Sequence, residues 1–162
     1  LYKARGYKQP PYTGQLHTDM VFGTAKSSHF SRPFCSVSDI PLFTGQKVIL
    51  EDPFIWRGAD GYEMIAKDMN GNVCGERFGG IHASSLNGTD WSLHMGELAY
   101  SRSILWDDGI VEEMGSLERP FLLFEGGIAT HAFFATSNGC NNFMDATETW
   151  NMVIPLKDPK GL

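Results

Sequence analysis

The chain has 162 residues, 42% of them hydrophobic and 20% charged, which is the composition of a folded globular domain rather than of a disordered chain. Its net charge is -6, from 13 basic and 19 acidic residues. No basic surface is therefore expected for a nucleic-acid backbone or an anionic membrane, and neither is predicted as a partner. No apolar run approaches the roughly 20 residues of a membrane-spanning helix.

Short apolar segments rich in aromatic and β-branched residues alternate with turns along the whole chain. Eighteen glycines and eight prolines interrupt any long helical periodicity. In chain order, the predicted strands are residues 20–22, 47–50, 53–56, 62–66, 121–124, 131–135 and 150–154. Turn signals such as Asn70-Gly71, Asp108-Gly109 and Gly126-Gly127 separate them. This pattern predicts an all-β chain of antiparallel strands joined by hairpins.

A loose internal repeat combines an acidic residue, a proline and an aromatic strand. The segments EDPF at residues 51–54 and ERPF at residues 118–121 each begin such a unit, and a turn and a second aromatic strand follow each of them. The acids Asp52 and Glu118 lie 66 residues apart. A four-stranded propeller blade takes roughly 40–50 residues, so the repeat predicts successive blades of a β-propeller with residues 96–115 as an insertion.

Asp52 and Glu118 are the main candidates for function. In a propeller, the innermost strand of each blade begins near one mouth of a central channel, and a proline is tolerated there because its missing N–H need not join the ladder. The two acids are then expected to converge on one cavity, as the carboxyl pair of a glycosidase does. Either acid could instead cap a turn or form half of an ion pair. Glu51 is expected on the opposite face, solvated or paired with Arg119, because strand side chains alternate.

The segments EDPFIW, GYEMIAKDM, GGIHASSLNGTDWSL and ERPFLLFEGGIATHAFFAT, in this order, resemble the five-bladed β-propeller glycosidases of the family 43 and family 32 type. The resemblance covers about residues 50–137. It implies an all-β, five-bladed β-propeller, of which this chain supplies about three blades. Residues 1–45 would form an incomplete blade, residues 46–95 the blade that begins with EDPFIW, and residues 96–162 the blade or blades with ERPFLLF and the closing strand.

The same resemblance implies a site with three acids. It gives Glu118 the role of general acid, and Asp52 that of the carboxylate that orients the sugar and stabilises charge. The third acid, the nucleophile or base, is expected upstream of residue 1, with Asp19 as the remaining candidate within the chain. A missing N-terminal blade or a second chain would complete the propeller. The expected function is hydrolysis of a glycosidic bond of an oligo- or polysaccharide; the alternative is a carbohydrate-binding or scaffold propeller without catalysis.

Five further residues are predicted to contact the carbohydrate: Trp56, Asp68, His82, Arg119 and His131. Packing between blades is the alternative for the tryptophan, and a satisfied core position is the commoner outcome for each histidine. No cofactor and no metal are expected, because the three cysteines are widely spaced and no His/Cys pair has the spacing of zinc ligands. The compartment, extracellular or cytoplasmic, stays open, since no signal peptide is visible.

Overall fold

The structure is a computed structural model that describes residues 1–5 and 19–156. Within these ranges the chain forms thirteen β-strands and no helix, so the prediction of an all-β chain is confirmed. In the part of the chain that the structure describes, no helix is long and apolar enough to cross a membrane.

In chain order the strands are β1 (Tyr2–Ala4), β2 (Val21–Gly23), β3 (Ala25–Lys26), β4 (Cys35–Ser36), β5 (Leu50–Arg57), β6 (Tyr62–Asp68), β7 (Gly80–Ser85), β8 (Ser92–Leu93), β9 (Ser103–Leu105), β10 (Val111–Glu113), β11 (Ser116–Glu125), β12 (Ile128–Ser137) and β13 (Thr149–Pro155). All strand pairings are antiparallel, as the pattern of turns and apolar segments predicted.

Two larger sheets and three small ones make up the fold. The larger sheets follow chain order, β5-β6-β7-β8 and β11-β12-β13, and the small ones pair β1 with β2, β3 with β4 and β9 with β10. Among the described residues no sheet closes on itself. Residues 96–115, expected as an insertion, contain the hairpin of β9 and β10, which follows the four-stranded sheet and precedes the three-stranded sheet in the sequence.

Each larger sheet has its own hydrophobic core. Alternation along β6 puts Met64 and Ala66, both fully buried, on one face, where they pack with Phe22. The three-stranded sheet buries a second cluster, formed by Met114, Leu117, Ala132, Phe134 and Met152. The opposite face of β6, which carries Lys67, is therefore free to contact the second sheet.

The two larger sheets pack side by side through their first strands. The rings of Phe54 in β5 and Phe121 in β11 meet edge to face, with centroids 5.2 Å apart. The rings of Trp56 and Phe124 lie 6.0 Å apart further along the same strands. These contacts bring the beginnings of β5 and β11 together.

β5 and β11 share one irregularity of the backbone. In each strand two consecutive residues, 52–53 in β5 and 119–120 in β11, lie opposite a single residue of the next strand. Such bulges bend a strand and redirect its side chains. Asp52 and Arg119, the first residues of the two bulges, have φ of 51° and 52°, in the left-handed region that few non-glycine residues adopt.

The shared bulge fixes how the two halves of the repeat correspond. Because Asp52 and Arg119 occupy the same bulge position, Glu51 is the structural counterpart of Glu118. The repeat therefore places a glutamate, not an aspartate, immediately before each bulge.

Candidate functional site

A buried lysine, Lys67 of β6, lies at the centre of the candidate site. Its side chain is 1% exposed, and its ammonium group lies 3.0 Å from Glu51 Oε2. The same ammonium contacts Glu118 Oε1, which also accepts a hydrogen bond from the Ser116 hydroxyl. Burying a charge is costly unless it is paired and hydrogen-bonded. Lys67 is thus the common counter-ion of two glutamates from different sheets.

Three carboxylates converge around this lysine. One oxygen from each of Glu51, Asp52 and Glu118 lies within 4.8 Å of the others. This separation is slightly shorter than the roughly 5–5.5 Å between the carboxyl groups of a retaining glycosidase, and well short of the roughly 6.5–9.5 Å of an inverting one. The prediction that Glu51 points away, solvated or paired with Arg119, is wrong, because the bulge turns two consecutive acids toward the same place.

Asp52 has a second cationic neighbour in the N-terminal strand. Lys3 Nζ donates a hydrogen bond of 2.6 Å to Asp52 Oδ1. Burial raises the pKa of Asp52, but the hydrogen bond and charge of Lys3, together with the charges of Lys67 and Arg119, outweigh it and lower that pKa below its ordinary value of 3.8. Asp52 is therefore ionised at neutral pH.

The Asp52 side of the cluster opens on a cavity of about 310 Å³. It is lined by Leu1, Tyr2, Lys3, Asp52, Pro53, Arg119 and Pro120. Arg119 is exposed and also borders a second cavity of about 330 Å³, whose other side is formed by Trp150 and Asn151 of β13. Charged donors and acceptors around a shallow cavity can hydrogen-bond a hydroxyl-rich ligand.

The charges of the cluster also reach a partly buried tyrosine, Tyr100. Burial raises the pKa of Tyr100 well above its ordinary value of 10.0, and the negative charges of Glu118 and Asp52 raise it further. The Tyr100 hydroxyl has no hydrogen-bond partner among the described residues. Its ring fits only because residue 80 is glycine, since a Cβ there would lie 2.1 Å from Tyr100 Cδ1.

Two of the predicted contact residues lie away from the cavity beside Asp52. The Trp56 ring packs between Phe54, at 5.9 Å, and Phe124, at 6.0 Å, in the contact between the sheets. Asp68 is fully buried. Its carboxylate accepts backbone hydrogen bonds from residues 71, 73 and 74, at 2.9, 2.8 and 3.1 Å, and thereby shapes the turn after β6.

The two predicted histidines lie on different sheets, and neither borders that cavity. His131 of β12 has its Nδ1 3.1 Å from Thr130 Oγ1. His82 of β7 has its Nε2 2.8 Å from Glu63 Oε2. Asp19, the upstream candidate, lines a separate cavity of about 250 Å³.

Of the residues predicted from the sequence, the structure brings Asp52, Glu118 and Arg119 together. Sequence reasoning missed Lys67 and its partner Glu51, although the strand YEMIAKD contains a usable signal. A lysine within an otherwise buried apolar strand is almost never fully buried without a carboxylate partner. Searching for that partner would have pointed to the acids of the neighbouring strands.

Comparison of the chain with protein-family models, with curated protein sequences and with solved structures found no match.

Proposed function

We propose that the chain belongs to a β-propeller that hydrolyses a glycosidic bond of an oligo- or polysaccharide. The observation that carries this proposal is the convergence of carboxylate oxygens from Glu51, Asp52 and Glu118 within 4.8 Å, at the bulged beginnings of two neighbouring strands. Glycoside hydrolysis uses two carboxyl groups that flank the bond to be broken. The resemblance of residues 50–137 to five-bladed propeller glycosidases supports the same reaction.

The arrangement of the two larger sheets supports the propeller architecture. Both are antiparallel sheets in chain order, and they meet through their first strands, β5 and β11. First strands of consecutive propeller blades lie next to the central channel in the same way. Under this proposal, residues 46–95 and 96–162 contribute consecutive blades, and an N-terminal blade or a second chain completes the ring.

In the proposed reaction, the protonated form of Glu118 donates its proton to the glycosidic oxygen as the bond from that oxygen to the anomeric carbon breaks. Asp52 is ionised; it orients the sugar and stabilises the positive charge that develops on the sugar ring. A water molecule adds to the anomeric carbon, and its proton passes to a carboxylate of the cluster. Arg119 and Lys3 lie at the rim of the cavity, where they can hydrogen-bond the sugar hydroxyls.

Replacement of Glu118 tests the acid role. In the full-length protein, assayed with a panel of aryl glycosides and oligosaccharides, Glu118→Gln is expected to lower kcat/KM by about 10²–10⁴-fold. Glycosides with a good leaving group need little protonation, so they should lose less activity. Glu125→Gln is the matched control, because it makes the same change at an exposed position of the same strand and should leave activity unchanged. A fully active Glu118→Gln protein would remove Glu118 from the acid role.

A carbohydrate-binding propeller without catalysis is the second candidate, and the contact of Lys67 with Glu118 favours it. The Glu118 carboxylate already accepts hydrogen bonds from the Lys67 ammonium and the Ser116 hydroxyl. Calorimetric titration with the same oligosaccharides separates the two functions. Binding without turnover, weakened by Arg119→Ala, would support the binding protein. Neither binding nor turnover of any glycan would contradict both candidates.

A further inference from the structure

A second polar cluster lies on the four-stranded sheet, apart from the carboxylates around Lys67. It consists of His82 in β7, His94 directly after β8, and Glu97 in the following turn. The backbone N–H of His94 donates to the carbonyl of His82 at 3.0 Å, which places the two imidazole rings beside each other with centroids 4.4 Å apart. The turn is held in place by a 2.7 Å hydrogen bond from the Gly96 N–H to the carbonyl of Val73.

The Nδ1 atoms of both histidines face one oxygen of Glu97. His94 Nδ1 lies 3.1 Å from Glu97 Oε2, and His82 Nδ1 lies 3.6 Å from the same oxygen. In a tetrahedral zinc site with bonds of about 2.0–2.2 Å, neighbouring ligand atoms are about 3.4 Å apart. The two observed distances bracket this value, and the ligand atoms of all three residues lie within 4.8 Å of one another, so side-chain movements of about an ångström can place an ion between them.

The opposite nitrogen of each ring already has a partner. His82 Nε2 lies 2.8 Å from Glu63 Oε2, and His94 Nε2 lies 2.9 Å from Ser84 Oγ. A carboxylate only accepts hydrogen bonds, so the contact with Glu63 puts a proton on His82 Nε2 and leaves the lone pair of a neutral ring on Nδ1. Metal-binding histidines are oriented in this way, with the far N–H donated to a carboxylate or another acceptor.

A cation would relieve one unfavourable contact in this geometry, that of His82 Nδ1 with Glu97. A lone pair on His82 Nδ1 and a carboxylate oxygen of Glu97 are both acceptors, so their approach to 3.6 Å is repulsive unless a cation or a proton lies between them. A proton on His82 Nδ1 would also relieve this contact, with a neutral His94 ring donating its Nδ1 proton to Glu97 at 3.1 Å, and the zinc titration below separates the two arrangements. A divalent ion satisfies all three groups at once.

We propose that His82, His94 and Glu97 bind one divalent first-row transition-metal ion, with zinc as the probe. Two imidazoles and a carboxylate are ligands that zinc and its neighbours in the series accept. The side chains of the histidines are each 29% exposed and that of Glu97 is 62% exposed, so solvent reaches the site and water can fill the remaining coordination position. The site uses no residue of the carboxylate cluster around Lys67. The proposed metal site can therefore be tested independently of the proposed hydrolase activity.

The test is a zinc titration of the purified full-length protein in competition with a chromophoric chelator. Cys35 and Cys140 are free and exposed, and a thiolate is a zinc ligand, so the titration is done in a Cys35→Ser/Cys140→Ser background. We expect one zinc ion per chain. Glu63→Ala removes only the orienting partner and is expected to weaken zinc binding by about 10–100-fold. His94→Gln removes a ligand and is expected to weaken zinc binding by more than Glu63→Ala does.

His131→Gln is the matched control, since it changes a partly buried histidine on the other large sheet and should bind zinc like the parent protein. Thermal unfolding gives a second readout: zinc should raise the Tm of the parent and of His131→Gln, but not that of His94→Gln. The metal-free Tm of each variant checks its folding. If His94→Gln binds zinc as the parent does, or if zinc leaves the parent Tm unchanged, the proposal is overturned.

Discussion

The ammonium group of Lys67 is buried between glutamates that belong to two different sheets. Its partners Glu51 and Glu118 are themselves only 16% and 8% exposed at the side chain. Two negative charges and one positive charge therefore share a small volume from which water is largely excluded. Removing the lysine from such a group leaves buried carboxylates without their shared counter-ion, which costs far more than the loss of a surface ion pair.

Lys67→Met should therefore destabilise the protein by about 3–5 kcal/mol, as measured by urea unfolding. The control Lys26→Met removes an exposed lysine from β3 and should change the free energy of unfolding by less than about 0.5 kcal/mol. Adding Glu51→Gln and Glu118→Gln to Lys67→Met should restore much of the loss, because neither glutamate position then carries an uncompensated charge. Equal effects of the two lysine variants would contradict the role given to Lys67.

Asp52 should make stability depend on pH in the acid range. Its pKa in the folded protein lies below the ordinary value of 3.8, so the ionised carboxylate stabilises the fold above that pH, and the stabilisation is lost as the pH falls through the lowered pKa. Asp52→Asn removes the charge, and asparagine tolerates the left-handed backbone. The difference in unfolding free energy between the parent and Asp52→Asn should be constant near neutral pH and shrink below about pH 4.

Lys3→Met should reproduce most of that pH-dependent difference, because Lys3 makes the hydrogen bond and the strongest charge contact that lower the pKa of Asp52. The comparison is made by urea unfolding of all three proteins at closely spaced pH values. If the difference in unfolding free energy between the parent and Lys3→Met stayed constant down to the acid unfolding of the parent, Lys3 would not be what lowers the pKa of Asp52.

At the scale of the strands, the paired bulges explain both what was predictable and what was not. The aromatic and β-branched runs with their glycine turns predicted strands at residues 53–56, 62–66, 121–124, 131–135 and 150–154, and the structure has strands β5, β6, β11, β12 and β13 over these positions. Period-two patterning suffices for this, because it depends on local burial alone. The two proline-containing beginnings were also recognisable as a repeat.

The register at those beginnings was not predictable from the pattern. Strict alternation puts Glu51 and Asp52 on opposite faces, whereas the bulge places both beside Lys67. A glycine in the sequence indicates that a positive φ is possible, but both bulge positions with positive φ carry other residues, Asp52 and Arg119. The ion pair of Lys67 with Glu118 spans 51 positions of the chain, so it depends on how the sheets pack and not on any local motif.

The strained backbone at Arg119 leads to a prediction about the bulge itself. At an ordinary strand position, glycine is about 0.5–1 kcal/mol less stable than alanine. At Arg119, with φ of 52°, the order should reverse, so that Arg119→Gly is more stable than Arg119→Ala by about 1 kcal/mol in urea unfolding. Both variants lack the guanidinium group, so their difference isolates the backbone. Both should also lose affinity for the proposed glycan. An alanine variant at least as stable as the glycine variant would contradict the strain.

At the scale of the whole molecule, the contact between the first strands of the two larger sheets is polar at one end and aromatic along the rest. Lys67 and Glu118 form the polar end, and the rings of Phe54 and Phe121 begin the aromatic part. Each sheet also has a core of its own, so the sheets would unfold separately if this contact were weak. The proposed propeller requires it to be strong, because blades are stabilised by their neighbours.

A double-mutant cycle on Phe54 and Phe121 measures that coupling. Phe54→Leu, Phe121→Leu and the double variant keep apolar volume but remove the edge-to-face contact of 5.2 Å. Urea unfolding should give a coupling free energy of about 0.5–1.5 kcal/mol between the two positions. Phe143 lies in the loop between β12 and β13 and provides the control, since Phe54→Leu and Phe143→Leu should be additive within about 0.5 kcal/mol. Additive effects for Phe54 and Phe121 as well would mean that the sheets are stabilised independently, and the propeller arrangement would lose its main structural support.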